Sequence, residues 1–185
     1  NLAQEIVDLN DARKNMTKEG VDRAINIIDS TDINNDNILV VYIPDIHESL
    51  AGIVAGRVKE KYNKPTIILT KSEEGVKGSG RSIEEYNMFE GLLACKELLD
   101  KFGGHPMAAG LSLQEDKVDE LRIALNNKCE LTDEDLTRKI MIDSSLPLEY
   151  LNLHLIEELN VLEPFGKGNS KPVFGVRDAK ITKAM

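Results

Sequence analysis

The strongest constraint on this chain is a pair of short apolar runs with a helical stretch between them. Residues 38–43 (ILVVYI) are continuously apolar and rich in β-branched side chains, and residues 66–70 (TIILT) repeat that character. Runs this short, with no polar alternation, fit buried strands. Between them Leu50, Ile53, Val54, Arg57 and Val58 fall at helical spacing, with Arg57 at the margin of the apolar face. Ser49 is the expected N-cap, and residues 63–65 (NKP) end the helix. Strand, helix, strand predicts a right-handed crossover between parallel neighbours.

The other elements are read the same way. Residues 10–29 predict a helix, with Asn10 as its N-cap, Val21, Ala24, Ile25 and Ile28 on one face, and Gly20 interrupting the pattern. Residues 32–37 are a polar turn. Residues 87–101 predict a helix with Leu92, Leu93, Leu98 and Leu99 inward, residues 111–113 a strand and residues 116–128 an amphipathic helix, which closes an α/β domain near residue 130. Beyond it, a strand is expected at 139–142, a helix at 151–162, a turn at 164–169 and a strand starting over 172–176. His154, among leucines of that helix, reads as an ordinary boundary histidine.

The chain is 41% hydrophobic and 30% charged, an ordinary soluble composition. No apolar run approaches the ~20 residues of a membrane span, and no apolar signal segment opens it. Cys95 and Cys129 lack metal-binding spacing, which fits a reduced, cytoplasmic setting. The net charge of −9 argues against nucleic-acid binding by the whole surface. The distribution is uneven, however. Residues 57–81 carry seven basic against three acidic side chains, while residues 1–50 and 112–163 are acidic. A basic middle between acidic flanks fits a local phosphate-facing stripe. A solvated helix face also accounts for Lys59, Lys61 and Lys64, but not for Arg81 in a glycine-serine run.

Two segments carry chemistry. Residues 102–110 (FGGHPMAAG) place Gly103 and Gly104, free to take positive φ, before His105, which can donate to a phosphate oxygen. Pro106 restricts His105 to extended conformations. The plainer reading of Gly103 is a helix C-cap. Residues 77–83 (KGSGRSI) join Lys77 and the short Gly78 to the hydroxyls of Ser79 and Ser82 and to the forked donor Arg81, a set suited to phosphate. The plainer reading there is a flexible hairpin turn. The run lacks the Gly-Lys-Ser/Thr ending of a P-loop, so a nucleoside triphosphate is not expected. Asp45 and His47 admit a metal-ligand reading, but position 51 is Ala where a zinc protease needs its second histidine, so a helix-entry role is expected and no metal site.

Taken together, these segments resemble the DHHA1 region of RecJ-type single-stranded-DNA exonucleases, members of the DHH phosphoesterase family. FGGHPMAAG resembles the family's FGGHxxAAG. His47-Glu48 with residues 52–57 (GIVAGR) resembles HEGxxGIVAxR, residues 77–83 resemble KGSARSI, and residues 164–169 (PFGKGN) resemble PFGxGN. Ser49 stands where the family has Gly, and Gly80 where it has Ala. The four matches come in family order over nearly the whole chain.

The resemblance implies an α/β fold: a DHHA1-like domain at 34–130 with a mixed sheet flanked by helices, a connecting helix at 1–33, and a connector with the beginning of an OB fold at 131–185. It implies the substrate-binding part of a metal-dependent 5′→3′ exonuclease of DNA repair and recombination, with single-stranded DNA and an upstream DHH domain of the same chain as partners and no membrane. Mn²⁺ or Mg²⁺ would sit in that DHH domain and no cofactor in this piece, which reads as a fragment inactive alone. By matching positions, His105 would meet the phosphate being cleaved. Gly103, Gly104, Arg81, Ser79, Ser82, Gly78, Lys77 and Arg57 would hold substrate phosphates. A related DHH enzyme for short RNA or cyclic dinucleotides, or a non-catalytic binding module, are the other readings.

Overall fold

In the computed structural model, which describes residues 1–180, the expected crossover forms. Strand β1 (Leu39–Tyr42) runs parallel to β2 (Thr66–Ser72), Leu39 opposite Thr66, with α2 (Glu48–Tyr62) between them. β2 turns back into β3 (Gly75–Arg81), and β4 (Lys101–His105) makes a hairpin with β5 (Ala108–Leu113) through Pro106 and Met107. β5 lies beside β3, so the order is β1-β2-β3-β5-β4, with only the first pair parallel.

Successive side chains on a strand point to opposite faces, and each face of this sheet has its own core. Leu39, Val41 and Ile68 pack with Ala24 and Ile28 of α1 (Leu2–Ser30) and with Leu50, Val54 and Val58 of α2. Val40, Ile67, Leu69, Val76, Leu111 and Leu113 pack on the other side with Met88 and Leu92 of α3 (Met88–Leu93) and with Leu121 and Leu125 of α4 (Val118–Asn127). Burying each such side chain stabilises the fold by ~1.5–3 kcal/mol. A one-residue slip would exchange the two faces, so the burial fixes the register. Asn126 of α4 closes the head of β1: its Oδ1 accepts from the Asn37 and Ile38 amides at 3.0 and 2.9 Å, and its Nδ2 donates to the Ile38 carbonyl at 3.0 Å.

Several boundaries differ from the sequence reading. α1 starts at Leu2 with Asn1 as its cap, because Asn10 spends its side chain on Arg13 (3.0 Å) and the helix runs through. Gly20 lies inside α1 and is buried where that helix crosses α2: a Cβ there would stand 3.0 Å from Val54 Cγ2. His47, not Ser49, caps α2, its Nδ1 accepting from the Ser49 amide at 3.3 Å. The helix expected over 87–101 stops at Leu93, which is exposed. A single 3₁₀ turn, Lys96–Leu98, follows, and the Asp100 amide already bonds the Ser112 carbonyl at 2.8 Å, drawing the chain into β4.

The chain clusters into two units, Asn1–Arg138 and Lys139–Met185. In the second, the strand expected at 139–142 is absent: Ile140, Met141 and Ile142 are exposed, and pairing starts only where the Asp143 amide meets the Val173 carbonyl at 2.9 Å. There β6 (Ser144–Ser145) lies parallel to β7 (Phe174–Gly175), within the strand expected over 172–176. The first unit also holds α5 (Asp133–Leu136), and the second holds α6 (Leu153–Asn160) inside the expected 151–162 helix. The part of the expected OB-fold start that falls on 181–185 lies outside the described residues.

Candidate phosphate-binding site

Both chemistry-bearing segments are strands, not loops. Residues 77–81 belong to β3, paired on both sides, and residues 103–105 end the edge strand β4. The helix-cap reading of Gly103 and the flexible-turn reading of 77–83 therefore both fall.

Register then does what sequence spacing could not. Arg81 stands opposite Ala108, and Ala108 opposite His105. Ser79 stands opposite Gly110, and Gly110 opposite Gly103. Lys77 stands opposite Ser112, and Ser112 opposite Lys101. Directly opposed residues share a face. Ser79 lies opposite Ile68 of the α1/α2 core, and Phe102 packs on Phe89 of the opposite layer with ring centroids 5.8 Å apart. All nine residues therefore lie on the face that α2 covers elsewhere. They make three rows about 7 Å apart, and each row spans two strand spacings, about 10 Å. Arg81 and His105 stand at the ends of the first row and Lys77 and Lys101 at the ends of the third, and Ala108, Gly110 and Ser112 leave a nearly bare floor along β5. The part of this trough under the first turn of α2, about 550 Å³, is lined by Lys77, Lys101, Gly103, Gly110 and Ser112. The Arg81–His105 row lies next along the strands.

Arg81 is half-buried and held from three sides. Its Nη1 donates to Ser79 Oγ at 2.9 Å and to the Gly80 carbonyl at 2.8 Å. A Cβ on Gly52 of α2 would sit 2.7 Å from its Nη2 and 3.1 Å from Ser79 Oγ, so the guanidinium occupies space that only glycine leaves open. Among the described residues no carboxylate pairs with Arg81, and its Nε and Nη2 hydrogens are unspent. Lys101, exposed, is likewise unpaired among the described residues, whereas Lys77 pairs with Glu48 at 3.1 Å.

His105 is exposed, and its Nδ1 accepts from the Met107 amide at 3.3 Å. That bond assigns the proton to Nε2, leaving an N–H donor directed away from its own turn. Gly104 adopts φ of 152°, and a Cβ there would lie 2.3 Å from the Ala108 carbonyl oxygen. Gly103 has no positive φ, so the pair forms a ladder edge in place of an anion-cradling turn. Gly78 contributes backbone to the groove wall, and its missing Cβ makes room for Leu69, 2.4 Å from where that atom would be.

Two of the predicted residues are placed apart from the trough lining. Ser82 is buried and donates its hydroxyl to the Tyr86 carbonyl at 2.6 Å, while its amide bonds the Met107 carbonyl at 2.9 Å; it ties β3 to the hairpin tip beside His105. Arg57 is exposed on α2, paired with Glu60 at 3.1 Å, and lines a separate groove against α1. Asp45 pairs with Arg23 at 2.7 Å, and His47 takes the helix-entry role as the cap of α2. Gly52 and Lys101 join the site only through the fold. A glycine inside a helix, ~1 kcal/mol worse than alanine there, was the available signal for the first; nothing but strand register marks the second.

Comparison with known proteins identifies the family and the fold. The DHHA1 domain family matches residues 35–131, and the RecJ OB domain family matches residues 142–185. The single-stranded-DNA-specific exonuclease RecJ of Bacillus subtilis (strain 168) is 37% identical over 182 residues, covering 96% of this chain and 23% of its own length. Crystal structures of Thermus thermophilus RecJ in complex with Mg²⁺ and with Mn²⁺ superpose with TM-scores of 0.81 and 0.80 at 26% and 27% identity. They cover 94% and 95% of this chain, and 27% and 26% of theirs. The chain thus spans about a quarter of the length of these relatives.

Proposed function

The chain belongs to the DHHA1 domain family, and from that premise we propose that it is the substrate-binding part of a RecJ-like single-stranded-DNA exonuclease, reading 5′→3′ in DNA repair and recombination. In this reading residues 1–33 connect to an upstream DHH domain of the same chain, residues 34–130 hold the DNA and residues 131–185 lead into an OB fold. The whole works in the cytoplasm; no described helix is long and apolar enough to cross a membrane.

The observation that carries the reading is the trough: a floor bare enough to admit a backbone, with Arg81 and His105 at the two ends of one row. Arg81 presents the edge of its guanidinium to phosphate oxygens, and a charge-assisted bond of this kind contributes ~1.5–3 kcal/mol. Ser79 holds Arg81 in that posture. The His105 Nε2–H donates to an oxygen of the phosphate under attack, where charge develops, and so acts on turnover more than on affinity. Lys77, Lys101 and the glycine edge of Gly103 and Gly104 guide the strand onward, and Ser82 keeps the hairpin tip in place.

The relatives' structures hold Mg²⁺ or Mn²⁺. The trough does not fit such an ion: its wall is cationic, and its one carboxylate, Glu48, is paired with Lys77. A hard divalent cation needs several oxygen ligands; in this reading the metals that activate water sit in the upstream DHH domain, and no step here runs through them.

The test uses the intact protein that contains this chain, with end-labelled single strands. Arg81→Ala is expected to weaken binding and to lower the salt slope of log K by about 0.7, one phosphate contact on a single strand. His105→Ala is expected to lower kcat more than it raises KM. An unchanged kcat with a lowered melting temperature in His105→Ala would return that residue to a structural role and remove the reading.

A further inference from the structure

Apart from the trough, a second groove runs between α1 and α2, about 490 Å³ in volume. Arg13, Lys14 and Lys18 of α1 form one wall and Arg57 and Lys61 of α2 the other, over an aliphatic floor of Val21, Ile25 and Ile53. A chain with a net charge of −9 thus gathers five cations around one groove.

The arrangement is periodic. Lys14 and Lys18, and across from them Arg57 and Lys61, are spaced four residues apart, so each wall repeats its charge every turn, about 6 Å along the helix. A repeating row suits a repeating anion better than a single one. The counter-charges are loosely held. Lys14 pairs with Asp11 at 3.0 Å, Arg57 with Glu60 at 3.1 Å and Lys61 with Asp29 at 4.0 Å, all exposed, and exposed pairs of this kind give up their partners readily. Lys18 has no carboxylate partner among the described residues. The floor offers no aromatic ring for base stacking, so contacts here would be to backbone and indifferent to sequence.

α2 borders both sites. Its Gly52 underlies Arg81 in the trough, and one turn on, Gly56 has no atom within 4 Å of where a Cβ would be. The neighbouring Arg57 and then Lys61 face α1. We propose that the α1/α2 groove is a second phosphate track, taking single-stranded DNA that extends beyond the trough across α2. This rests on the reading of the trough as a DNA site, and it lengthens the footprint without adding chemistry.

The experiment compares a short oligothymidylate that fills the trough alone with a long one that spans both sites, on the intact protein, by fluorescence anisotropy across a salt series. The Lys18→Gln/Lys61→Gln double variant is expected to bind the long strand roughly tenfold more weakly, with a salt slope lower by about 1.4, two single-strand phosphate contacts. The short strand is expected to bind it as tightly as the parent. A thermal melt equal to the parent's establishes that the variant is folded, and Lys18→Arg/Lys61→Arg should restore long-strand binding. If Arg81→Ala weakens both strands while the double variant weakens neither, the trough reading stands and the second track falls. If Arg81→Ala weakens neither, the trough reading falls and takes the second track with it. If the double variant binds both strands normally but loses binding to an Asp/Glu-rich peptide, the groove serves a protein partner and the proposal is overturned.

Discussion

At the scale of single residues, the arrangement turns on what glycine leaves out. Gly52 is the sharpest case. It sits in a helix interior, where alanine is favoured by ~1 kcal/mol, yet a methyl group there would stand 2.7 Å from Arg81 Nη2. The clashing atom is the far end of a flexible side chain, which can move aside cheaply. Gly52→Ala should therefore leave the melting temperature unchanged or slightly raised while weakening single-strand binding nearly as much as Arg81→Ala does. Measuring both quantities on one preparation checks this. Normal affinity in Gly52→Ala would mean that the guanidinium works equally well from another posture. The sequence displayed Gly52 within a recognisable motif but gave no hint of its opposite number. Gly52 and Arg81 are 29 positions apart and meet only through the crossover.

Among the elements, the parallel pair was legible and the two glycine-rich strands were not. Residues 38–43 and 66–70 announce themselves because every position is apolar or β-branched, as a strand buried on both faces requires. β3 and β4 read as loops because glycine is depleted in strands. Here the missing side chains are what allow close strand packing: Leu69 fills the space over Gly78 in the central strand β3, and the Ala108 carbonyl comes close to Gly104 in the edge strand β4. The site's residue types were therefore readable while their common face was not, since that depends on β5 being laid between β3 and β4. The opposite edge of the sheet depends on Asn126, which answers two amides and one carbonyl at the head of β1. Asn126→Ala leaves those groups without their partner, and its cost should be about 1–3 kcal/mol, read as a lowered urea midpoint with an unchanged m-value. Asn126→Asp keeps the acceptor and loses the donor, so it should fall between the two.

Over the whole molecule, the work of the exonuclease is divided, on the proposed reading, between this chain and an upstream domain. The net charge of −9 repels DNA at long range, while on that reading the trough attracts it locally. Salt screens the first effect over a Debye length of about 10 Å at 0.1 M and opposes the second through counterion release. Binding by the isolated chain should therefore weaken with added salt, but less steeply at the lowest concentrations, where screening of the repulsion offsets the lost contacts. Hydrolysis is a separate matter. Among the described residues no group of three or more His, Cys, Asp or Glu side chains is placed to hold a metal ion, and Glu48, which lines the trough, is tied to Lys77. On the proposed reading Arg81 and His105 stabilise charge on a phosphate, and the nucleophile is generated outside this chain. Incubated with end-labelled single strands and Mn²⁺ or Mg²⁺, the isolated chain should retard the DNA on a gel and leave its length unchanged. Shortening of the strand that depends on the metal and disappears in Arg81→Ala would place the hydrolytic centre within these 185 residues and end the division of labour argued here.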